Sequence, residues 1–176
     1  MKKLNVRQIA CLAVLLALAI VLSVIESYIP SPFPGAKLGL ANLVIILSMN
    51  AFGFWMSLLL DVLRVVLASC LTGSIFGMGF FMSMAGAILS FLAMYLAKRF
   101  FTCFTVVGVS LLGAFTHSLA QILVAMAFYG TVNIIYYFPL LSLLSLACGC
   151  VNGFIAELLL NNGFLKRVLT NEKERL

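Results

Sequence analysis

LLLDVLRVVLASCLTGS, residues 58–74, places an aspartate and an arginine inside an otherwise lipid-soluble stretch. An Asp, Lys or Arg at the centre of a membrane helix costs about 2.5–3.5 kcal/mol on insertion scales. The stretch reads as a transmembrane helix, and Asp61 and Arg64 need a reason to be in it. At 3-4-4 spacing, Asp61, Arg64, Ala68 and Thr72 share one helix face. Two accounts fit that face. Asp61 and Arg64 form an intrahelical ion pair turned into a bundle, or Arg64 additionally reaches a bound anionic or carbonyl group.

The rest of the chain agrees with a membrane setting. Of its 176 residues, 64% are hydrophobic and 9% charged, with mean hydropathy +1.21. A soluble domain carries about 25% charged residues, so a globular water-facing surface is excluded. The expectation is an all-α integral membrane protein forming one domain over residues 1–176. The formal charge of +6 does not indicate nucleic acid, because the basic residues flank apolar runs and form no patch with stacking aromatics. Five cysteines (Cys11, Cys70, Cys103, Cys148, Cys150) contain no CxxC pair, and one histidine leaves no zinc constellation, so no metal is expected. The apolar run from Ile9 to Ile29 is of spanning length and longer than a signal-peptide core, which makes it a retained first helix.

Turn signals divide the chain into six spans, at about 9–29, 39–53, 54–72, 80–97, 104–129 and 138–160, followed by a short basic tail over 161–176. With six spans both termini share a side. Lys2, Lys3, Arg7, Lys98, Arg99, Lys166, Arg167, Lys173 and Arg175 then fall on that side, which the positive-inside rule makes cytoplasmic. The two remaining cations are Lys37, in the first outer loop, and Arg64.

Polar stripes recur on other spans. In the fifth, Gly113, His117, Gln121 and Ala125 stack at steps of four, as a packing face or as one wall for a polar ligand. In the sixth, Ser142, Ser145, Gly149, Asn152 and Ala156 form a small-plus-polar face of the kind that lets helices approach closely. Asn42 stands one turn in from the loop bearing Lys37, and Ser83, Ala87 and Ser90 line the fourth span. Polarity gathers toward the outer halves of several spans, as a pocket open to the outside requires. On the first span Ala10, Ala13 and Ala17 form a small-residue stripe, either a docking face for another helix or packing within the bundle.

PSPFPGAKLGLANLVIIL (30–47), LLLDVLRVVLASCLTGSIFG (58–77) and FMSMAGAILSFLAMYL (81–96) together resemble the substrate-binding S components of energy-coupling factor (ECF) transporters. The resemblance is strongest to the Gx transporter branch, whose members often carry the label heptaprenyl diphosphate synthase component I. It implies a six-helix S-component fold with an outer pocket capped by the first and third outer loops. It also implies capture of a vitamin-like small molecule, and docking on a coupling subunit that works with two ATPase subunits. In that family an Ala-x-x-x-Ala pattern on the first helix meets the coupling subunit, and Ala13 and Ala17 match it with Ala10 one turn earlier. The matching stretches nominate Lys37, Asn42, Arg64, Ser69, Thr72 and Ser83 for substrate binding. His117 and Gln121 join them on the stripe argument alone.

The component I label raises an enzyme as the competing class. A prenyl diphosphate synthase uses aspartate-rich motifs to hold magnesium against the diphosphate, in keeping with magnesium's demand for oxygen ligands. This chain has a single aspartate, so it is expected to be non-catalytic, as the component of a synthase or as a membrane partner in a quinone or redox pathway. It has no GxxxxGK[ST] phosphate loop, so any ATP is expected to be used by a partner chain, with no cofactor held here. An isoprenoid or quinone precursor is the substrate that the label suggests.

Overall fold

The computed structural model describes residues 6–30, 33–100 and 105–162. Lys2, Lys3, Cys103, Lys166, Arg167, Lys173, Arg175 and nearly all of the expected tail lie outside them. Within them the chain forms α1 (Val6–Tyr28), α2 (Asn42–Phe52), α3 (Phe54–Leu71), α4 (Met78–Phe100), α5 (Val106–Tyr129) and α6 (Phe138–Asn161), with a 3-10 turn at Val132–Tyr137 before α6.

Five of these elements are long and apolar enough to cross a bilayer, counting the 3-10 turn with α6. The second is not. α2 has 11 residues, about 16 Å of helix against a hydrocarbon core of about 30 Å. The six expected helices are all present, and the second, expected over 39–53, begins at Asn42 and is too short to span on its own.

α2 touches all five other helices. Val44, Ile45, Ile46, Leu47 and Met49 are buried on it, covering most of its circumference, as expected of a helix apolar all round. It turns directly into α3 through one residue. Gly53 sits at φ +78°, ψ −167° with open space where a side chain would project, so backbone conformation rather than crowding calls for glycine there. Ser48 and Ser57 then join hydroxyls at 2.8 Å across the two helices, and Lys98 of α4 donates to Asn50 Oδ1 at 2.6 Å.

α4, α5 and α6 pack side by side through small residues. An added Cβ at Gly149 would lie 2.7 Å from the Ala114 methyl, and one at Gly153 would lie 2.7 Å from Val107 Cα. That closeness lets Ser110 Oγ donate to the Gly149 carbonyl at 2.7 Å. α1 lies at the periphery, against α3 and α2. Ala10, Ala13 and Ala17 are all exposed on it, so this stripe packs against nothing in the described chain.

A candidate binding site around a buried connector

The segment joining α1 to α2 does not cap the bundle from above; it descends into it. Phe33 stays near the rim, its ring 6.1 Å from that of Tyr129 and 5.6 Å from that of Tyr137. Gly39 lies against Asn42 and His117, and its carbonyl accepts from Asn152 Nδ2 at 3.0 Å. Asn152 is fourteen residues into α6, about 21 Å from where that helix begins. α2 can be short because the connector covers the remaining depth.

Non-helical backbone at membrane depth must have its N–H and C=O groups satisfied by protein. Three buried side chains do this. The Glu26 carboxylate accepts from Gly39 N–H and, at 3.2 Å, from Leu40 N–H. Gln121 Oε1 accepts from Lys37 N–H at 3.2 Å, and Asn152 serves the Gly39 carbonyl. With its oxygen so engaged, Gln121 presents its amide NH₂ to His117 Nε2 at 2.9 Å. An amide nitrogen only donates, so His117 Nε2 accepts and the ring proton sits on Nδ1. Nδ1 faces the α4 backbone at Gly86 without a well-formed hydrogen bond.

The helix-three charges lie beside this seat. Arg64 Nε donates to Asp61 Oδ1 at 2.7 Å with both side chains buried, and a second guanidinium nitrogen donates to Ser23 Oγ at 3.0 Å. The pair therefore ties α3 to α1. Arg64 is also within electrostatic range of Glu26 and Lys37. In their ordinary charge states Glu26, Asp61, Lys37 and Arg64 sum to zero.

At the rim, a cavity of about 240 Å³ opens between the end of α1, the connector and the α3–α4 turn. Glu26, Ser27, Lys37, Thr72 and Ser74 supply its polar wall. Gly35, at φ +83°, brings the connector backbone against Gly79 of α4 and closes one side; an added Cβ there would meet Gly79 Cα at 3.2 Å. A larger apolar groove of about 510 Å³ runs between α4 and α5 along Phe81, Met84, Ile88, Val124 and Phe128. Its rim residues are exposed on the bundle's flank, where lipid chains lie, and it holds no charged group.

Of the residues nominated from sequence, Lys37 and Thr72 line the rim cavity. Arg64 sits below it with one guanidinium nitrogen unpartnered. Asn42 and Ser83 are buried with their side-chain polar atoms unpartnered, and Ser69 is buried on α3. His117 and Gln121 are adjacent, with Gln121 engaged at both ends by the protein itself. Glu26, Ser23 and Asn152 complete the arrangement and were not among the nominated residues. The available signals were the Ser23–Glu26 pair at i, i+3 near the end of α1 and the two positive-φ glycines, Gly35 and Gly39, flanking Lys37.

Gly86 is what admits the His117 ring. A Cβ there would lie 2.7 Å from Cε1 and 2.8 Å from Nδ1. Gly86→Ala should displace the ring, break its contact with Gln121 and destabilise the fold by about 1–3 kcal/mol. A thermal midpoint equal to that of the wild-type protein would show that the ring has room to retreat.

Residues 15–159 match the family described as heptaprenyl diphosphate synthase component I. The chain belongs to that family. The match runs from the middle of α1 almost to the end of α6 and so includes the connector, the Asp61–Arg64 pair and the rim cavity. No curated protein and no solved structure matches the chain.

Proposed function

We propose that this multi-pass membrane protein is the substrate-binding subunit of an ECF-type uptake transporter. It takes a small vitamin-like or isoprenoid/quinone-precursor molecule at the rim cavity. A membrane coupling subunit docks on the Ala10–Ala13–Ala17 face of α1, and two ATPase subunits hydrolyse ATP, so this chain itself holds no cofactor. The observation that supports binding is a charge-balanced cavity at the mouth of an apolar bundle, with Glu26 Oε2 in its wall buried and unpartnered. Buried polar atoms without partners are costly, and a bound polar molecule would relieve that cost.

The family's description favours a second reading, in which the chain is the membrane component of a heptaprenyl diphosphate synthase. A non-catalytic role suits it there too, because its one aspartate is already bound by Arg64. Affinity capture from native membranes separates the two. Recovery of an ATPase pair supports the transporter, and recovery of a soluble prenyl synthase without ATPases rejects it.

On the transporter reading both termini face the cytoplasm of a cell-membrane protein. Pro34→Cys, on the exposed part of the connector, should then react with an impermeant thiol reagent from outside intact cells, and Arg99→Cys should not. The reverse pattern would invert the topology.

The alanine face gives a further expected result. Ala17→Leu places a bulky group where a partner helix must approach closely, at about 1–3 kcal/mol of overpacking. Capture of the coupling subunit should fall while the isolated protein keeps its ligand and its thermal midpoint. Unchanged capture would remove this face from the docking surface.

A further inference from the structure

Most polar side chains of the rim cavity offer acceptors. Ser27 spends its hydroxyl proton on the Ser23 carbonyl at 2.9 Å. Thr72 Oγ1 lies 3.0 Å from the Ala68 carbonyl and 2.8 Å from Ser74 Oγ, so its proton too stays within the protein. Ser27 and Thr72 therefore keep only lone pairs for a guest. Glu26 is 3% exposed and lines the cavity. Its Oε1 is committed to the connector backbone and its Oε2 has no partner. Lys37 is the one cationic side chain in the wall.

We propose, resting on the binding-subunit reading above, that this cavity takes a small neutral or zwitterionic molecule rich in N–H or O–H donors, and not a prenyl diphosphate or other phosphorylated species. A diphosphate brings several negative charges and only acceptor oxygens. Those oxygens would face the Glu26 carboxylate and the lone pairs of Ser27 and Thr72, with Lys37 the one cationic side chain in the wall to answer them. A guest donating to Glu26 Oε2 makes a charge-assisted bond where the protein leaves that oxygen bare. One anionic or carbonyl group on the same guest suits Lys37. The volume of about 240 Å³ lies just below the range of about 300–1,000 Å³ usual for drug-sized ligands, which suits a small ring with substituents.

The test is native mass spectrometry of the full chain extracted from its own membranes, followed by fragmentation of whatever small molecule it retains and by titration with farnesyl diphosphate. The expected molecule carries no net negative charge and several N–H or O–H groups, and farnesyl diphosphate neither binds nor displaces it. Glu26→Gln can still accept the connector N–H groups through its amide oxygen but turns the open acceptor into a donor, so retention should fall about tenfold or more. Ser74→Ala, away from the connector clamp, should cost about fivefold and decides the matter if Glu26→Gln does not fold. Wild-type retention of a phosphorylated molecule, saturable binding of farnesyl diphosphate that Lys37→Met abolishes, or undiminished retention in folded variants would each overturn the inference while leaving a binding subunit in place. A wild-type chain that retains no small molecule would overturn the inference and the binding-subunit reading together.

Discussion

Arg64→Leu should lower the stability of the purified protein by about 3–5 kcal/mol, the usual consequence of removing one partner from a buried ion pair. The cause lies in what remains behind. Asp61 is 1% exposed, its Oδ1 would lose the guanidinium, and its Oδ2 has no partner to begin with. Ser23 would lose its donor as well, loosening α1 from α3. Replacing both charges, Asp61→Leu with Arg64→Leu, leaves no stranded carboxylate and should recover much of the loss. Unfolding in a denaturing detergent series gives the comparison. A double variant as unstable as the single one would mean that the pair is not the stabilising unit. If Arg64 also serves a ligand, the double variant will fold and retain its small molecule poorly.

A loss of similar size is expected for Glu26→Ala. Gly39 N–H and Leu40 N–H would be left inside the bundle without an acceptor, at about 1–3 kcal/mol each, and together about 2–6 kcal/mol. The connector should then leave its seat even where the helices persist. A cysteine at Ala36, which is 6% exposed in the native protein, reports this directly: it should become reactive in the Glu26→Ala background and stay protected with Glu26→Gln, whose amide oxygen still accepts. Equal protection in both backgrounds would show that the carboxylate does not hold the connector.

These two residues mark what the sequence makes legible. Asp61 and Arg64 stand out because charge in an apolar run is conspicuous, and helical spacing puts them on one face. The long spans are legible for the same reason, with ends within a few residues of those in the structure, and Gly53 falls where two helices meet. Glu26 is less visible: near the end of a span it looks like a rim charge, and its partners are backbone groups that no periodicity reveals. The short second helix is hidden because its preceding residues, LGLA (38–41), are as apolar as a helix would be. Their immersion depends on side chains supplied by α1, α5 and α6. The same dependence explains Gln121, whose place on a polar stripe was clear and whose engagement with the Lys37 backbone was not. Helical periodicity reports which side chains share a face; it is silent on non-helical backbone that enters between the faces.

The connector's hydrogen bonds also impose a timetable on biosynthesis. Lys37 waits for Gln121, 84 residues later, and Gly39 waits for Asn152, 113 residues later. At ribosomal speeds of about 5–20 residues per second the second interval is roughly 6–23 s. During that interval α1 to α3 have emerged while the connector still lacks the amides that satisfy it in the finished bundle. An intermediate stalled before α6 would present this glycine-rich segment to membrane quality control, so mutations at Asn152 should shorten the lifetime of the nascent protein even if the mature protein tolerates them.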